Sequence, residues 1–183
     1  VEVSDNFTGT VWNTGVMRHG KYYSVDTQCD YKGQPITLGE ILQDEKDVPE
    51  KYFLTDPAKL EKFQYLRGPK KIERTSADGH TYTYSEGGMS PTDDLNLPGR
   101  TMLTSEGTVN RSTHFINANN RYRLITPVEA ERLQDFPDDW TKQKKLADGS
   151  IVEVSDKMRM FFMGNALVTE IVRKIGEYIK TLD

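Results

Sequence analysis

The chain has 183 residues, 36% of them hydrophobic and 28% charged, a balance that describes a globular protein of one domain or little more and excludes collagen-like and disordered classes. Its 24 basic and 28 acidic side chains leave a formal charge of −4, which argues against indiscriminate coating of nucleic acid. No apolar run is long enough to span a bilayer, Val1-Glu2-Val3-Ser4-Asp5 lacks the features of a secretory leader, and the single cysteine, Cys29, fits a reducing cytoplasm.

In chain order, Val11 to Met17 and Lys21 to Val25 flank Arg18-His19-Gly20 and read as a hairpin. Thr37-Leu38-Gly39-Glu40 is a capping box ahead of Ile41 and Leu42, so a short helix is expected there. Asp56-Pro57 opens a second helix with Leu60, Phe63 and Leu66 inward, and Gly68-Pro69 closes it. Lys70 to Ser76 and Thr81 to Tyr84 around Asp78-Gly79 predict another hairpin, followed by an irregular Gly/Pro-rich loop through Pro98-Gly99. Arg100 to Thr104, His114 to Ile116 and Arg121 to Ile125 read as short strands, the first two separated by the polar loop Ser105 to Ser112. Thr126-Pro127-Val128-Glu129 combines cap, first-turn proline and reciprocal glutamate and starts a helix that Phe136-Pro137 stops. Asp148-Gly149 marks a further hairpin, and Val168, Ile171, Val172, Ile175, Ile179 and Leu182 give one long terminal helix an apolar stripe. No internal repeat is present.

Charge falls in blocks. Glu40 to Asp56 is acidic, and Lys59, Lys62, Arg67, Lys70, Lys71 and Arg74 follow with Phe63 and Tyr65 between them. Arg111, Arg121 and Arg123 form a second basic group and Lys142, Lys144 and Lys145 a third, a pattern suited to a polyanion held on one face. Catalytic constellations are scarce. His19, His80 and His114 have no metal-ligand spacing, Cys29 has no adjacent base, and no glycine-rich phosphate loop opens a helix, so a binding or accessory unit is the natural expectation.

Two segments carry a specific resemblance. Arg121-Tyr122-Arg123-Leu124-Ile125-Thr126-Pro127-Val128-Glu129 through Arg132-Leu133-Gln134-Asp135-Phe136-Pro137-Asp138 resembles the ninth conserved motif of DNA cytosine-C5 methyltransferases, with Asp135 where the family usually has glycine. Phe162-Met163-Gly164-Asn165-Ala166-Leu167-Val168 is similar to the tenth motif. The family's Phe-x-Gly-x-Gly loop, Pro-Cys nucleophile, Glu-Asn-Val dyad and Gln-x-Arg-x-Arg segment do not occur in these residues; Cys29 follows Gln28.

The resemblance implies an α+β fold: a small irregular target-recognition domain of short strands and hairpins, then helices that complete a Rossmann-like catalytic domain. It divides the chain into a connecting hairpin region (1–36), a recognition domain (37–125) and docking helices (126–183). It implies a C-terminal fragment or split subunit, inactive alone. The complete enzyme would transfer a methyl group from S-adenosylmethionine to C5 of a cytosine flipped from double-stranded DNA. A restriction–modification role and a cytoplasmic, nucleoid-associated setting follow as expectations; a non-enzymatic sequence-specific DNA-binding module is the alternative. The implied partners are DNA and a catalytic portion or large subunit bearing the Pro-Cys motif; no membrane and no metal is expected. Thr101-Met102 matches the recognition region's Thr-aliphatic pair, which places Thr104, Ser105, Glu106, Gly107, Asn110 and Arg111 on a base-reading loop. Lys70, Lys71 and Arg74 are expected on phosphates, and Gly164, Asn165 and Ala166 against the cofactor.

Overall fold

In the computed structural model, which describes residues 12–182, β1 (Thr14–Arg18) and β2 (Lys21–Val25) pair antiparallel, with Thr14 opposite Val25. His19 and Gly20 between them take φ of 50° and 73°, the two-residue turn that matches right-twisted strands. This hairpin lies in a first unit, residues 1–34, and residues 35–183 form a second. Val1 to Asp5 and Val11 of the expected leader-free start and first strand lie outside the described residues.

The second unit begins with α1 (Leu38–Ile41), whose cap is the expected box: Thr37 N–H donates to Glu40 Oε2 at 2.7 Å. Two 3₁₀ turns (Glu45–Asp47, Glu50–Tyr52) lead to α2 (Pro57–Arg67), capped by Asp56 Oδ1 accepting from Ala58 N–H at 3.0 Å. Next come the hairpin β3 (Lys70–Thr75) and β4 (Thr81–Glu86), then the hairpin β5 (Phe115–Ala118) and β6 (Arg121–Leu124), closed by Asn119 and Asn120 at φ of 51° and 61°. The remaining elements are α3 (Pro127–Leu133), the hairpin β7 (Gln143–Lys145) and β8 (Ile151–Glu153), α4 (Asp156–Asn165) and α5 (Thr169–Ile179). Among the described residues every sheet is a two-stranded antiparallel ribbon, so the coarse fold is α+β.

Small ribbons cannot bury much alone, and the core is assembled between them and the helices. Leu38, Ile41, Met102, Ile116, Ile125, Ala130, Met160 and Met163 form the main cluster, joining α1, β5, α3 and α4. A second cluster stacks Phe63 of α2 on Phe115 with ring centres 4.4 Å apart, and Phe115 on Tyr122 at 5.5 Å.

Two expectations about elements are corrected. Arg100 to Thr104 is irregular rather than a strand: only Met102 of Thr101 to Thr104 turns inward, and β5 already has its ladder partner in β6. The expected start of the second of these strands, His114, lies before β5 because its N–H is taken by Glu106. Preceded by a separate helix, α4, the terminal helix forms where its stripe places it. Its apolar stripe belongs to α5, while Gly164 and Asn165 sit in the last turn of α4, separated from α5 by Ala166 to Val168.

Candidate nucleic-acid interface

The ninth-motif segment builds a scaffold before anything else. Arg123 of β6 is 2% exposed and forks onto the fully buried Glu129 of α3, its two terminal nitrogens 2.7 and 2.6 Å from the carboxylate oxygens. The same carboxylate accepts from Thr126 N–H at 2.8 Å and from Gln43 N–H at 2.9 Å, so one buried anion is satisfied from three elements. Arg132 donates to Ile41 O and Leu42 O and pairs with Asp138. Arg159 of α4 pairs with the buried Glu131 at 2.9 Å. These residues lock α3 against α1 and α4; their positive charge is spent inside the fold.

α3 ends in a Schellman motif, with Phe136 N–H on Glu131 O at 2.9 Å and Asp135 N–H on Arg132 O at 3.0 Å. Asp135 has φ of +61°, the left-handed region that glycine favours and aspartate tolerates. That conformation accounts for an aspartate at this position of the motif. Thr169 N–H then donates to Gln134 O, and Gln134 Nε2 to Met163 O at 2.9 Å, tying the helix end to both terminal helices.

On this frame, residues 103–113 form a closed loop. Thr101, Thr104, Ser105 and Gly107 are exposed, and Gly107 (φ 84°) supplies the turn. Glu106 departs from its expected place at a base edge. It is 4% exposed, and its carboxylate accepts from His114 N–H at 2.6 Å with His114 Nδ1 at 3.2 Å. Asn110 is also turned to the loop's own backbone: its Oδ1 accepts from Ser112 and Thr113 N–H at 2.8 and 3.0 Å. Arg111 donates to Leu66 O at 3.2 Å and to Gly87 O, and pairs with Glu86 at 2.9 Å, so it anchors the loop to the base of the β3–β4 hairpin.

That hairpin is similarly divided. Lys70 is bound by Leu66 O at 2.7 Å and Glu86 at 2.9 Å, leaving little of its charge for a phosphate. The hydrogen bond from Lys70 holds the Glu86 carboxyl below the usual range against the effect of burial, and Arg111 adds to it. Lys71 and Arg74 remain exposed on alternate faces, Arg74 lying 4.0 Å over the Tyr84 ring.

Gly164 reaches the loop from below. A Cβ there would sit 2.5 Å from Thr104 Cα and overlap the Leu103–Thr104 backbone, so its missing side chain serves loop packing. Asn165 is exposed, with its Nδ2 on Phe161 O at 2.9 Å, and Ala166 is partly buried beside the core. Beyond this corner an open groove of about 480 Å³ is lined by Arg100, Thr101, Gln134, Ala166, Leu167 and Ile171.

Residues 18–181 match the sequence profile of C-5 cytosine-specific DNA methylases. The chain belongs to this family. It is also 48% identical over all 183 residues to the type II methyltransferase M.Sau3AI of Staphylococcus aureus, of which the alignment covers 41%. The chain therefore spans about two fifths of the length of that relative.

Within this methylase chain, Thr101, Thr104, Ser105 and Gly107 are exposed, Gly164 packs beneath the Leu103–Thr104 backbone, and Lys71 and Arg74 are exposed on the β3–β4 hairpin. Arg67, counted with the basic block, is 1% exposed and forms an ion pair with Asp93 at 2.7 Å. Arg121 pairs with Glu45 and Glu50 and covers the Phe53 ring at 3.6 Å. His114, one of three histidines without metal-ligand spacing in the sequence, pairs with Glu106 eight residues away, a contact that depends on closure of the loop. Among the described residues no group of acidic, histidine or cysteine side chains could hold a metal ion, and no helix is long and apolar enough to cross a membrane.

Proposed function

We propose that this chain is the C-terminal target-recognition portion of a DNA cytosine-C5 methyltransferase, either part of a longer polypeptide or one subunit of a split enzyme, in a restriction–modification setting. What supports this reading is the family match across residues 18–181, which includes an internally hydrogen-bonded loop whose exposed residues are Thr104, Ser105 and Gly107 among others. Hydroxyl and backbone groups of such residues can exchange hydrogen bonds with base edges in the major groove, while Lys71 and Arg74 can fix register on phosphates. Residues 37–125 would form the recognition region and 126–183 the docking helices of a Rossmann-like catalytic domain.

The residues at the α4–α5 corner fit a supporting role toward S-adenosylmethionine. Asn165 and Ala166 offer a polar and an apolar contact at an open edge, whereas Gly164 is already committed to the loop. When bound, the cofactor supplies the methyl group. The reactive thiol lies outside these residues, since Cys29 follows Gln28 and no Pro-Cys pair occurs. The 183 residues alone therefore transfer no methyl group.

The test is enrichment from a randomised duplex library, by the chain alone and by the chain with a Pro-Cys-bearing catalytic polypeptide. Recovery of one short site, lost when Thr104 and Ser105 are both changed to alanine, is expected. Uniform recovery of all sequences, or none, would overturn the assignment of recognition to this chain.

A further inference from the structure

We infer that Glu106 is a positioning residue, which sets the shape of the base-reading loop through His114 instead of meeting DNA itself; the inference rests on the recognition role proposed above. The carboxylate and the imidazole are both fully buried as side chains, and no cation of the Lys or Arg type pairs with Glu106 among the described residues. Removing a carboxylate from water is costly, and two hydrogen bonds offset that cost only in part. Such a group is a weak source of stability; where buried polar groups are retained, fixing one conformation is a use they are known to serve.

The geometry identifies what is fixed. Glu106 and His114 bracket residues 107–113 of the loop, and the carboxylate binds the backbone N–H at the entry to β5 as well as the ring. The loop interior is filled in the same manner: Thr113 Oγ1 donates to Thr108 O at 2.6 Å, and Asn110 gathers the Ser112 and Thr113 N–H groups. Glu106 and Asn110, which could have read bases, are thus drawn inward, while Thr104 and Ser105, whose Oγ accepts from Asn110 Nδ2 at 3.3 Å, stand at the surface on a preformed frame. Floor contacts complete it, since Gly164 lies against Leu103–Thr104 and Gly107 approaches Met160. A loop already held in its bound shape loses less entropy on binding, and a hydroxyl displaced by about 1 Å no longer discriminates base edges.

The experiment uses the duplex that the wild-type chain enriches and the same duplex with single base-pair substitutions, with affinities measured by fluorescence anisotropy at matched salt. Glu106→Ala should reduce discrimination between cognate and substituted duplexes about tenfold, with affinity for the substituted duplexes retained. Glu106→Gln, whose amide oxygen can accept from His114 N–H and whose NH₂ can face Nδ1, should restore it. Should Glu106→Ala unfold, as judged by circular dichroism, Thr113→Val supplies the same readout by removing the bond to Thr108 O at nearly constant volume. Unchanged discrimination in a folded Glu106→Ala or Thr113→Val chain, or failure of Glu106→Gln to rescue, overturns the positioning role while leaving the proposed function standing. Absence of any selectivity in the wild-type chain overturns both.

Discussion

At the scale of single residues, half of the basic side chains that suggest a polyanion surface have acidic partners within the fold. Arg67, Lys70, Arg111, Arg121, Arg123 and Lys142 do; Arg123 and Lys142 pair locally, whereas the partners of Arg67, Lys70, Arg111 and Arg121 stand far along the chain. Nothing in the local sequence announces such partners, so burial of these charges was not legible there. Truncating Arg123 to alanine would leave Glu129 buried without its main counter-charge, and the expected loss is about 3–5 kcal/mol in urea denaturation. Asp93 gives a pH dependence. Burial raises its pKa, but hydrogen bonds from Arg100, Phe115 N–H and Arg67 outweigh this and hold the carboxyl below the ordinary aspartate value. A group depressed in this way contributes stability above its unfolded pKa of about 4 and loses it as pH falls through the lower folded value. Thermal melts should therefore weaken progressively below about pH 4, and Asp93→Asn should be less stable at pH 7 with a shallower acid dependence.

At the scale of elements, the most legible features were those whose chemistry is local. The capping boxes at Thr37 and Thr126, the Asp56-Pro57 helix start and the glycine turns at Gly20, Gly79 and Gly149 all form where their residues imply. Less legible were Arg100 to Thr104, whose path is set by packing against Gly164, and α4, whose Met160 and Met163 signal is short. The end of α3 offers a direct check on the backbone argument. Asp135→Gly should raise stability by about 0.5–1 kcal/mol by relieving the left-handed conformation, and Asp135→Val should lower it by about 1–2 kcal/mol. Chemical denaturation of the two variants measures both signs. Gly164→Ala, which forces the Leu103–Thr104 backbone to shift, should cost about 1–3 kcal/mol and raise amide exchange in residues 103–108.

At the scale of the whole molecule, α5 presents Ile171, Val172, Ile175 and Ile179 to solvent, each about half exposed, with Leu167 beside them. A face of that kind on a surface helix calls for a covering partner. The isolated chain should self-associate in analytical ultracentrifugation, and Ile175→Glu should shift it toward monomer without altering its circular dichroism. The exposed stripe was legible from its helical spacing, and the family membership from two short motifs; which loop residues face outward required the folded chain. The claim that ties these scales together is that this chain provides selectivity for a methyl transfer whose thiol resides on other residues. It is tested most directly by supplying labelled S-adenosylmethionine and duplex DNA to a Pro-Cys-bearing catalytic polypeptide, with and without this chain. Transfer confined to the mixture and to one recurring site is the predicted result. Transfer by the catalytic polypeptide alone at that same site, or by this chain alone, would contradict the account.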